Sequence, residues 1–194
     1  MSDKKYEFVP GDEKTIAPGR TVKRIRLLVA IAAFGLPSGS LGGYIESKEC
    51  LSQSGNAWVF GDAQVFGDAQ VFGNARVSGN ARVSGYARVF GNAWVFGDAW
   101  VFGDAQVFGD ARVFGNARVS GDASIVWVSK VGRDNGTLTV FTGKDGDLIA
   151  TRGCFIGTID EFLAQSEKVH DDRTHLEYRM LIEVAHSRIT RSAS

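Results

Sequence analysis

The sequence predicts a mainly β protein whose centre is a left-handed parallel β-helix of four triangular coils. The first observation behind this prediction is that residues 55–126 repeat one six-residue motif twelve times without an insertion. The second is that Gly and Ala occur in every copy, while the fifth position is Val in eleven copies and Ile in one. A strict hexad of this kind is typical of a parallel β-helix in which three hexads form one coil.

The repeated motif, Gly-Asn/Asp-Ala-x-Val-Phe/Ser, indicates a physical role for most of its positions. Because side chains alternate along an extended strand, Ala and Val point to the same face and must fill the interior of the coil. Gly followed by Asn or Asp suits the corners, since these residues tolerate a positive φ at the lowest cost. The positions before and after Val point outward, so they carry any function of the coil.

Residues 1–54 are predicted to form an N-terminal β-rich cap. Turn signals that combine Pro with Gly occur at residues 10–12, 18–19 and 37–39. Residues 21–34 are rich in Val, Ile and Leu and are predicted to form a strand. A short β-helix has two open ends, and such a cap would cover the first of them.

Residues 127–194 are predicted to form a β-hairpin followed by a helical hairpin. Strand-like residues 124–131 and 137–142 flank a loop at 132–136 that is suited to a hairpin. A third short strand is expected after the turn at residues 144–146.

Two predicted helices then close the chain. Thr158 and Glu161 form a capping-box pattern at the start of the first helix. The second helix has an apolar stripe at helical spacing, which must be buried against another surface. We expect that surface to be the coil or another subunit, so the segment could support oligomerisation. The stripe consists of Tyr178, Leu181, Ile182, Ala185 and Ile189.

Tryptophan and arginine dominate the outward position before Val. Residues one coil apart stack on the same face, so Trp and Arg alternate along the first face. Arginines at the same position of three consecutive hexads also form a belt around the second coil. These arginines could simply be solvated, or they could bind a phosphate beside a Trp that stacks on a base. The candidate ligand- or partner-binding residues are Trp58, Arg76, Arg82, Arg88, Trp94, Trp100, Arg112 and Arg118.

Phenylalanine dominates the outward position after Val, where it occurs in eight of the twelve copies. Rings one coil apart could stabilise each other by stacking within one chain. A monomer rarely exposes a large contiguous apolar patch, however, and this favours an interface. We expect a homo-oligomer, in the simplest case a trimer, and a foreign protein partner stays open as an alternative. The interface candidates are Phe60, Phe66, Phe72, Phe90, Phe96, Phe102, Phe108 and Phe114.

The composition argues against several classes of protein. The chain has 22 basic and 22 acidic residues among 194, a balance that argues against nonspecific nucleic-acid binding. The apolar residues 25–36 are too few to span a bilayer, and residues 1–14 do not resemble a secretory leader. We therefore expect a cytoplasmic protein without membrane association. Cys50 and Cys154 are expected to be buried thiols.

The hexads resemble the left-handed β-helix of the hexapeptide acyltransferase superfamily, whose members are commonly trimers. The flanking residues 42–47, 135–141 and 151–155 are similar to a group of bacterial and prophage hexapeptide-repeat proteins. Those proteins are often labelled transferase-like without an established reaction. Their phage context implies an accessory or anti-defence role, in which case the protein would act in the cytoplasm of a bacterial host.

The resemblance also implies a test for acyl transfer, which in this superfamily typically uses a His as general base and acyl-CoA in a groove between subunits. Residues 55–126 contain no His and no inserted loop, and His170, His175 and His186 all lie in the C-terminal segment. We therefore assign no catalytic residue, no metal ligand and no cofactor. The alternative is a hexapeptide-type acyltransferase that takes its base from the C-terminal helices and uses acyl-CoA.

The sequence thus favours a non-enzymatic binding or scaffold protein. Its aromatic and arginine ladders would contact a protein or a small anionic ligand, and a nucleotide fits both features of the ladders. A further hypothesis is a phage-type protein that sequesters a nucleotide signal.

Overall fold

The structure, a computed structural model, describes residues 4–121 and 124–191. It confirms the predicted fold class. A parallel β-solenoid of about four turns forms the centre, and an antiparallel sheet and two helices follow it at the C-terminal end.

The N-terminal residues form three strands, β1 (Tyr6–Ala17), β2 (Arg20–Leu27) and β3 (Leu41–Ile45), and two short 3₁₀ helices, Ala32–Phe34 and Lys48–Cys50. The predicted strand at residues 21–34 is therefore too long, since β2 ends at Leu27. The chain beyond it turns back through Gly35, which has a φ of 64°. The last part of the predicted strand instead forms the 3₁₀ helix Ala32–Phe34, which Gly35 N closes by donating to Ala32 O at 3.1 Å.

The solenoid consists of two-residue strands at six-residue spacing. They stack into three parallel sheets that form the three faces of a prism, and Trp94 pairs with Arg76 on one side and Arg112 on the other. The strands are β4 (Trp58–Val59), β5 (Gln64–Val65), β6 (Gln70–Val71), β7 (Arg76–Val77), β8 (Arg82–Val83), β9 (Arg88–Val89), β10 (Trp94–Val95), β11 (Trp100–Val101), β12 (Gln106–Val107), β13 (Arg112–Val113) and β14 (Arg118–Val119).

We call the three sides of the prism the first face (β4, β7, β10 and β13), the second face (β5, β8, β11 and β14) and the third face (β6, β9 and β12). The Ala and Val of the eleven hexads from Gly55 to Ser120 are buried inside the prism, as the alternation predicts. At one corner, Asn56 donates a hydrogen bond to Asn74 and Asn74 donates to Asn92, at 2.9 and 3.2 Å. These amide ladders add a second set of contacts between coils.

Parallel pairing begins upstream of the first hexad. Strand β3 pairs with β5, and Leu51 forms a bridge with Val71. The N-terminal strands thus extend the second face, and their apolar side chains cover the open end of the prism. Lys5 lies in this cap, where its Nζ donates to the carbonyl oxygen of Ala57 at 3.0 Å. Burial lowers the pKa of Lys5 to about 8.

The twelfth hexad leaves the solenoid. Ile125 starts strand β15 (Ile125–Val131), which pairs antiparallel with β16 (Gly136–Thr142). The next corner would require Gly at position 127, where the sequence has Trp, so the coil cannot turn again. The predicted hairpin and third strand, β17 (Leu148–Arg152), are confirmed, and a fourth strand, β18 (Phe155–Thr158), was not predicted.

Helices α1 (Ile159–Val169) and α2 (Asp172–Arg191) close the chain. The predicted capping box is confirmed, since Glu161 N donates to Thr158 Oγ1 at 3.2 Å and Thr158 N donates to Glu161 Oε2 at 2.8 Å. Among the described residues, neither helix combines the length and apolarity that a membrane-spanning helix requires.

The apolar stripe of α2 packs on the antiparallel sheet and on α1. Tyr178, Ile182, Ala185 and Ile189 are buried in one cluster with side chains of those elements, and Leu181 packs against it. The expectation that the stripe would cover the coil or another subunit was therefore wrong. α2 contacts β15 and β16, so the predicted hairpin itself supplies the surface that the stripe covers, while α1 lies on β17 and β18.

The C-terminal sheet closes the other end of the prism. Thr139 Oγ1 accepts a hydrogen bond from Arg112 N at 3.3 Å, Thr151 Oγ1 donates to Arg112 O at 3.4 Å, and Phe141 joins the solenoid core.

The two cysteines differ from expectation, because Cys50 is buried but Cys154 is exposed in the turn between β17 and β18. No disulfide joins them.

Candidate functional site

The best-defined candidate site lies on the first face, where several side chains are held around one cavity. The outward column of this face runs from Trp58 through Arg76 and Trp94 to Arg112, because the parallel register stacks residues one coil apart. Trp58 lies outside the prism, yet the cap covers it completely and places Tyr6 edge-on against it at 6.2 Å. Trp58 is therefore part of the core, and the accessible column begins at Arg76.

The guanidinium of Arg76 lies between two aromatic rings. Its Cζ is 4.6 Å from the ring centroid of Trp94 and 5.3 Å from that of Phe34. Trp94 belongs to the coil, whereas Phe34 comes from the first 3₁₀ helix of the cap. The cation is thus held by contacts from two different parts of the chain.

A cavity of about 450 Å³ opens beside this cation, and we call it the first-face pocket. Phe60 forms one wall, 6.0 Å from Phe34 between ring centroids. Ser78 stands where most hexads have Phe, so the smaller side chain leaves this space open. The lining residues are Ala33, Phe34, Phe60, Arg76, Ser78 and Trp94.

Two contacts hold the indole of Trp94 at the edge of the first-face pocket. Its Nε1 donates to Ser78 Oγ at 3.1 Å, and the ring of Phe96 lies 4.4 Å away between centroids. An indole that is fixed by a hydrogen bond and a neighbouring ring loses little freedom when a ligand packs on it. Trp94 is therefore prepared as a binding surface.

The charge of Arg76 is not neutralised by the chain. Among the described residues, no carboxylate or carbonyl oxygen accepts a hydrogen bond from its guanidinium, which contacts only the two rings. A half-buried guanidinium has donors in a fixed fork that suits a phosphate or carboxylate group. The pocket thus combines aromatic walls with an available anion-binding group.

The second face repeats the Trp–Ser hydrogen bond and an Arg–Trp contact. Trp100 Nε1 donates to Ser84 Oγ at 3.0 Å, and the guanidinium of Arg118 lies 4.7 Å from the Trp100 ring. Arg82 is exposed, and no ring of the described residues lies against it. Among the described residues of the cap, no ring lies over Arg82 as Phe34 lies over Arg76.

The third face carries a ladder of stacked rings. Phe72, Phe90 and Phe108 stack at 4.8 Å between successive centroids, and Trp127 meets Phe108 edge-on at 4.4 Å. The guanidinium of Arg88 lies 5.4 Å from the Phe72 ring.

The other phenylalanines of the interface set also have partners within the chain. Phe96 stacks on Phe114 at 4.5 Å, Phe102 lies 4.8 Å from Trp100, and Phe66 lies under Arg20. Contacts of this kind involve every member of the set, while Phe108 stays 38% exposed. A role of these rings in an interface between subunits stays a prediction.

The three histidines occupy different environments in the C-terminal part. His170 lies 5.5 Å from the Tyr178 ring, and His175 Nδ1 lies 3.3 Å from Ser166 Oγ within the helical hairpin. His186 lines a groove of about 850 Å³ together with Ser120 and Gly121 from the end of the coil. His186 thus shares this groove with residues from the end of the coil.

Comparison with known proteins agrees with the repeat. A family model described as the YdcK beta solenoid repeat matches residues 69–85, 75–89, 105–121 and 111–125. The chain is similar to a β-solenoid repeat family. The matches lie within the hexads and leave both terminal segments unmatched, so they support the architecture of the coil alone. No curated protein matches the chain.

Sequence reasoning missed the two residues that turn the Arg–Trp column into a pocket. Phe34 lies in the cap, and no repeat pattern connects it with Arg76. Ser78 did leave a signal, because it interrupts the Phe series one coil before Trp94. The other Ser–Trp pair, Ser84 and Trp100, has the same spacing, so the signal alone does not tell which face holds a pocket.

Proposed function

We propose that this protein is a non-catalytic binding protein whose first-face pocket takes a planar anionic ligand of the nucleotide class. The observation that carries the proposal is the guanidinium of Arg76, which is held between Phe34 and Trp94 and has no anionic partner among the described residues. The phosphate of the ligand would accept hydrogen bonds from Arg76, while its base would pack against Phe60 and Trp94.

The size and chemistry of the pocket support this ligand class. A cavity of about 450 Å³ falls within the range of small-molecule sites, about 300 to 1,000 Å³. Three of its six lining residues are aromatic, and base stacking on such rings contributes about 1–3 kcal/mol per base. A purely aliphatic anion would use Arg76 but would leave the rings without a partner.

The proposal also includes the oligomeric state of the protein and its biological role. The half-exposed phenylalanine ladders support a homo-oligomer, for which we propose a trimer of the kind common in the hexapeptide superfamily, and they also suit a scaffold that contacts a protein partner. A cytoplasmic phage accessory or anti-defence role, including sequestration of a nucleotide signal, rests on the resemblance of the flanking segments.

Fluorescence titration with the four ribonucleoside 5′-monophosphates tests the ligand class. We expect saturable quenching in the wild-type protein and in Trp100→Phe, with affinity at least about tenfold weaker in Trp94→Phe. Trp100→Phe is a matched control, because Trp100 makes the same hydrogen bond to a serine on the second face. The proposal is wrong if no nucleotide quenches saturably, or if both variants lose binding equally.

A second candidate function is the acyltransferase, which the position of His186 favours. His186 lines a groove together with residues from the end of the coil, as a general base for acyl-CoA would have to do. Thiol release from acetyl-CoA in the presence of amine acceptors tests this candidate. A rate that His186→Asn abolishes and His175→Asn leaves unchanged would establish acyl transfer, and the absence of any rate above background would exclude it for those acceptors.

A further inference from the structure

A second cleft lies where the last coil meets the C-terminal sheet. It has a volume of about 270 Å³ and is bordered by side chains from the coil on one side and from β16 and β17 on the other. Its position at the end of the first face separates it from the first-face pocket, since Arg112 lies two coils beyond Arg76. Its principal lining residues are Asp110, Arg112, Gly136, Thr137, Thr151 and Arg152.

Arg152 is held in this cleft by specific contacts. Its Nη2 donates to the carbonyl oxygen of Val131 at 3.2 Å, while its Nε is buried and has no hydrogen-bond partner. The guanidinium lies directly on Gly136, where an added Cβ would be 2.3 Å from Arg152 Cζ. Glycine at 136 is thus required for this position of Arg152, and the orphaned N–H is a donor for a missing acceptor.

Arg112, an exposed residue of the coil, lines the cleft together with Arg152. Its backbone is fixed by the hydroxyl groups of Thr139 and Thr151, so the end of the coil and the sheet are joined at this residue. Within residues 4–121 and 124–191, neither Arg112 nor Arg152 forms an ion pair. Two unpaired cations from different elements therefore border one small cavity.

The only carboxylate among the lining residues is that of Asp110, and one of its oxygens already accepts a hydrogen bond from Asn92 at 3.1 Å. The cleft therefore keeps a net positive charge. Two guanidinium groups are the side chains best suited to a phosphate group, because each offers several N–H donors in a planar fork. The second oxygen of Asp110 is available to accept a hydrogen bond from a hydroxyl group of a ligand.

We propose that this cleft binds a phosphate group, supplied either by inorganic phosphate or by a small phosphate ester with a hydroxyl group. Arg112 and Arg152 would donate to the phosphate oxygens, and Nε of Arg152 would gain its missing partner. Binding would also fasten the C-terminal sheet to the end of the coil, because the two arginines come from these two parts. The site does not depend on the first-face pocket.

Calorimetric titration of the full chain with inorganic phosphate and, separately, with glycerol phosphate tests the proposal. We expect saturable binding that falls at least about tenfold in Arg152→Met. Gly136→Ala is the sharper variant, because it leaves every charge in place and only displaces the Arg152 guanidinium. The affinity of Gly136→Ala for phosphate should fall about as much as that of Arg152→Met. Its circular dichroism spectrum should match that of the wild type. An ester that binds more tightly than inorganic phosphate would identify the ester as the ligand.

Two control variants separate this cleft from other sources of binding. Arg82→Met removes an equally unpaired coil arginine far from the cleft, and Arg76→Met removes the cation of the first-face pocket. Arg82→Met should bind phosphate with unchanged affinity, and Arg76→Met should keep the phosphate binding that Gly136→Ala weakens. The proposal is overturned if phosphate does not bind saturably, if Arg82→Met weakens binding as much as Arg152→Met, or if Arg76→Met abolishes it while Gly136→Ala does not. Loss of nucleotide binding in Arg76→Met would concern the first-face pocket alone.

Discussion

The first and second faces of the solenoid carry nearly the same outward residues but present different surfaces. Each has an arginine, a tryptophan one coil later, and a serine that accepts a hydrogen bond from that indole, at 3.1 Å on the first face and 3.0 Å on the second. On the first face the cap adds Phe34, which encloses Arg76 and creates a cavity. On the second face Arg82 lies exposed.

The difference shows which features of the surface the repeat determines and which features the flanking segments add. The hexad determines which residues stack and how far apart they lie, and this information is identical on the two faces. The cap breaks the symmetry, because it places a ring over Arg76 on the first face, whereas none of its described residues places a ring over Arg82 on the second. A functional site in a repeat protein can thus depend on residues that lie outside the repeat.

The largest expected effect on stability distinguishes Trp58, which the cap covers, from Trp100, which is only half-buried. Trp58→Ala should reduce the free energy of unfolding by about 4 kcal/mol, since it empties a fully buried site under the cap. Trp100→Ala should cost about 1–2 kcal/mol, because that indole is only half-buried. Urea unfolding monitored by circular dichroism measures both. Similar costs for the two variants would mean that the cap does not cover the first face as described.

The next effect concerns how the cap itself is held. Burial lowers the pKa of Lys5 to about 8 in the folded chain, against an ordinary value of 10.5. Between these values the unfolded chain binds the proton and the folded chain does not, so stability rises with pH. The rise from pH 8 to pH 10 should be about 2 kcal/mol.

Urea unfolding of the wild type and of Lys5→Met across this pH range checks the prediction. The variant should lack the rise, and the difference between the two curves isolates Lys5 from other titrating groups. The range ends at pH 10 because burial raises the pKa of Tyr6, which reverses the trend above the ordinary tyrosine value. Parallel curves for the two proteins would contradict the buried position of Lys5.

A smaller effect on stability tests the tryptophan–serine hydrogen bond that both faces contain. Ser78→Ala and Ser84→Ala each remove the acceptor of a tryptophan N–H, so each should cost about 1 kcal/mol of stability. Thermal unfolding of the two variants under identical conditions measures the loss. A cost at one serine and none at the other would show that the two indoles are not held in the same way.

The smallest effect on stability measures the contacts of Arg76 with Phe34 and Trp94. Arg76→Met should cost about 0.5–1 kcal/mol, because the guanidinium loses its contacts with two rings. Arg82→Met should cost less than about 0.5 kcal/mol, as expected for an exposed side chain without such contacts. Chemical unfolding of both variants provides the comparison. An equal cost would argue against the two-ring contact.

The sequence predicted the features that follow from local periodicity. The interior of Ala and Val, the stacking of residues one coil apart and the capping box at Thr158 all depend on short-range patterns, and all are present. The burial of Trp58 and the placement of Phe34 beside Arg76 depend on how the cap folds over the coil. Those contacts join residues of different segments, and no periodic pattern in either segment encodes them.

The same limit explains the error at the C-terminal end. The stripe of α2 was recognised from its spacing, but its partner was not, because the packing of α2 on the sheet strands β15 and β16 is a tertiary contact that leaves no periodic signal in the sequence. The cleft between Arg112 and Arg152 depends on that sheet as well. Its residues are separated by forty positions in the sequence, and only the packing of the sheet against the coil brings them together.

Calorimetric titration of nucleotide into Arg76→Met and Arg82→Met tests the central claim most directly, since the two substitutions are chemically identical and differ only in the face that carries them. The enclosed Arg76 should be essential for affinity, so Arg76→Met should bind at least about tenfold more weakly than the wild type, while Arg82→Met should bind with unchanged affinity. Equal affinities for the two variants would contradict the claim that the cap turns the first face into a binding site.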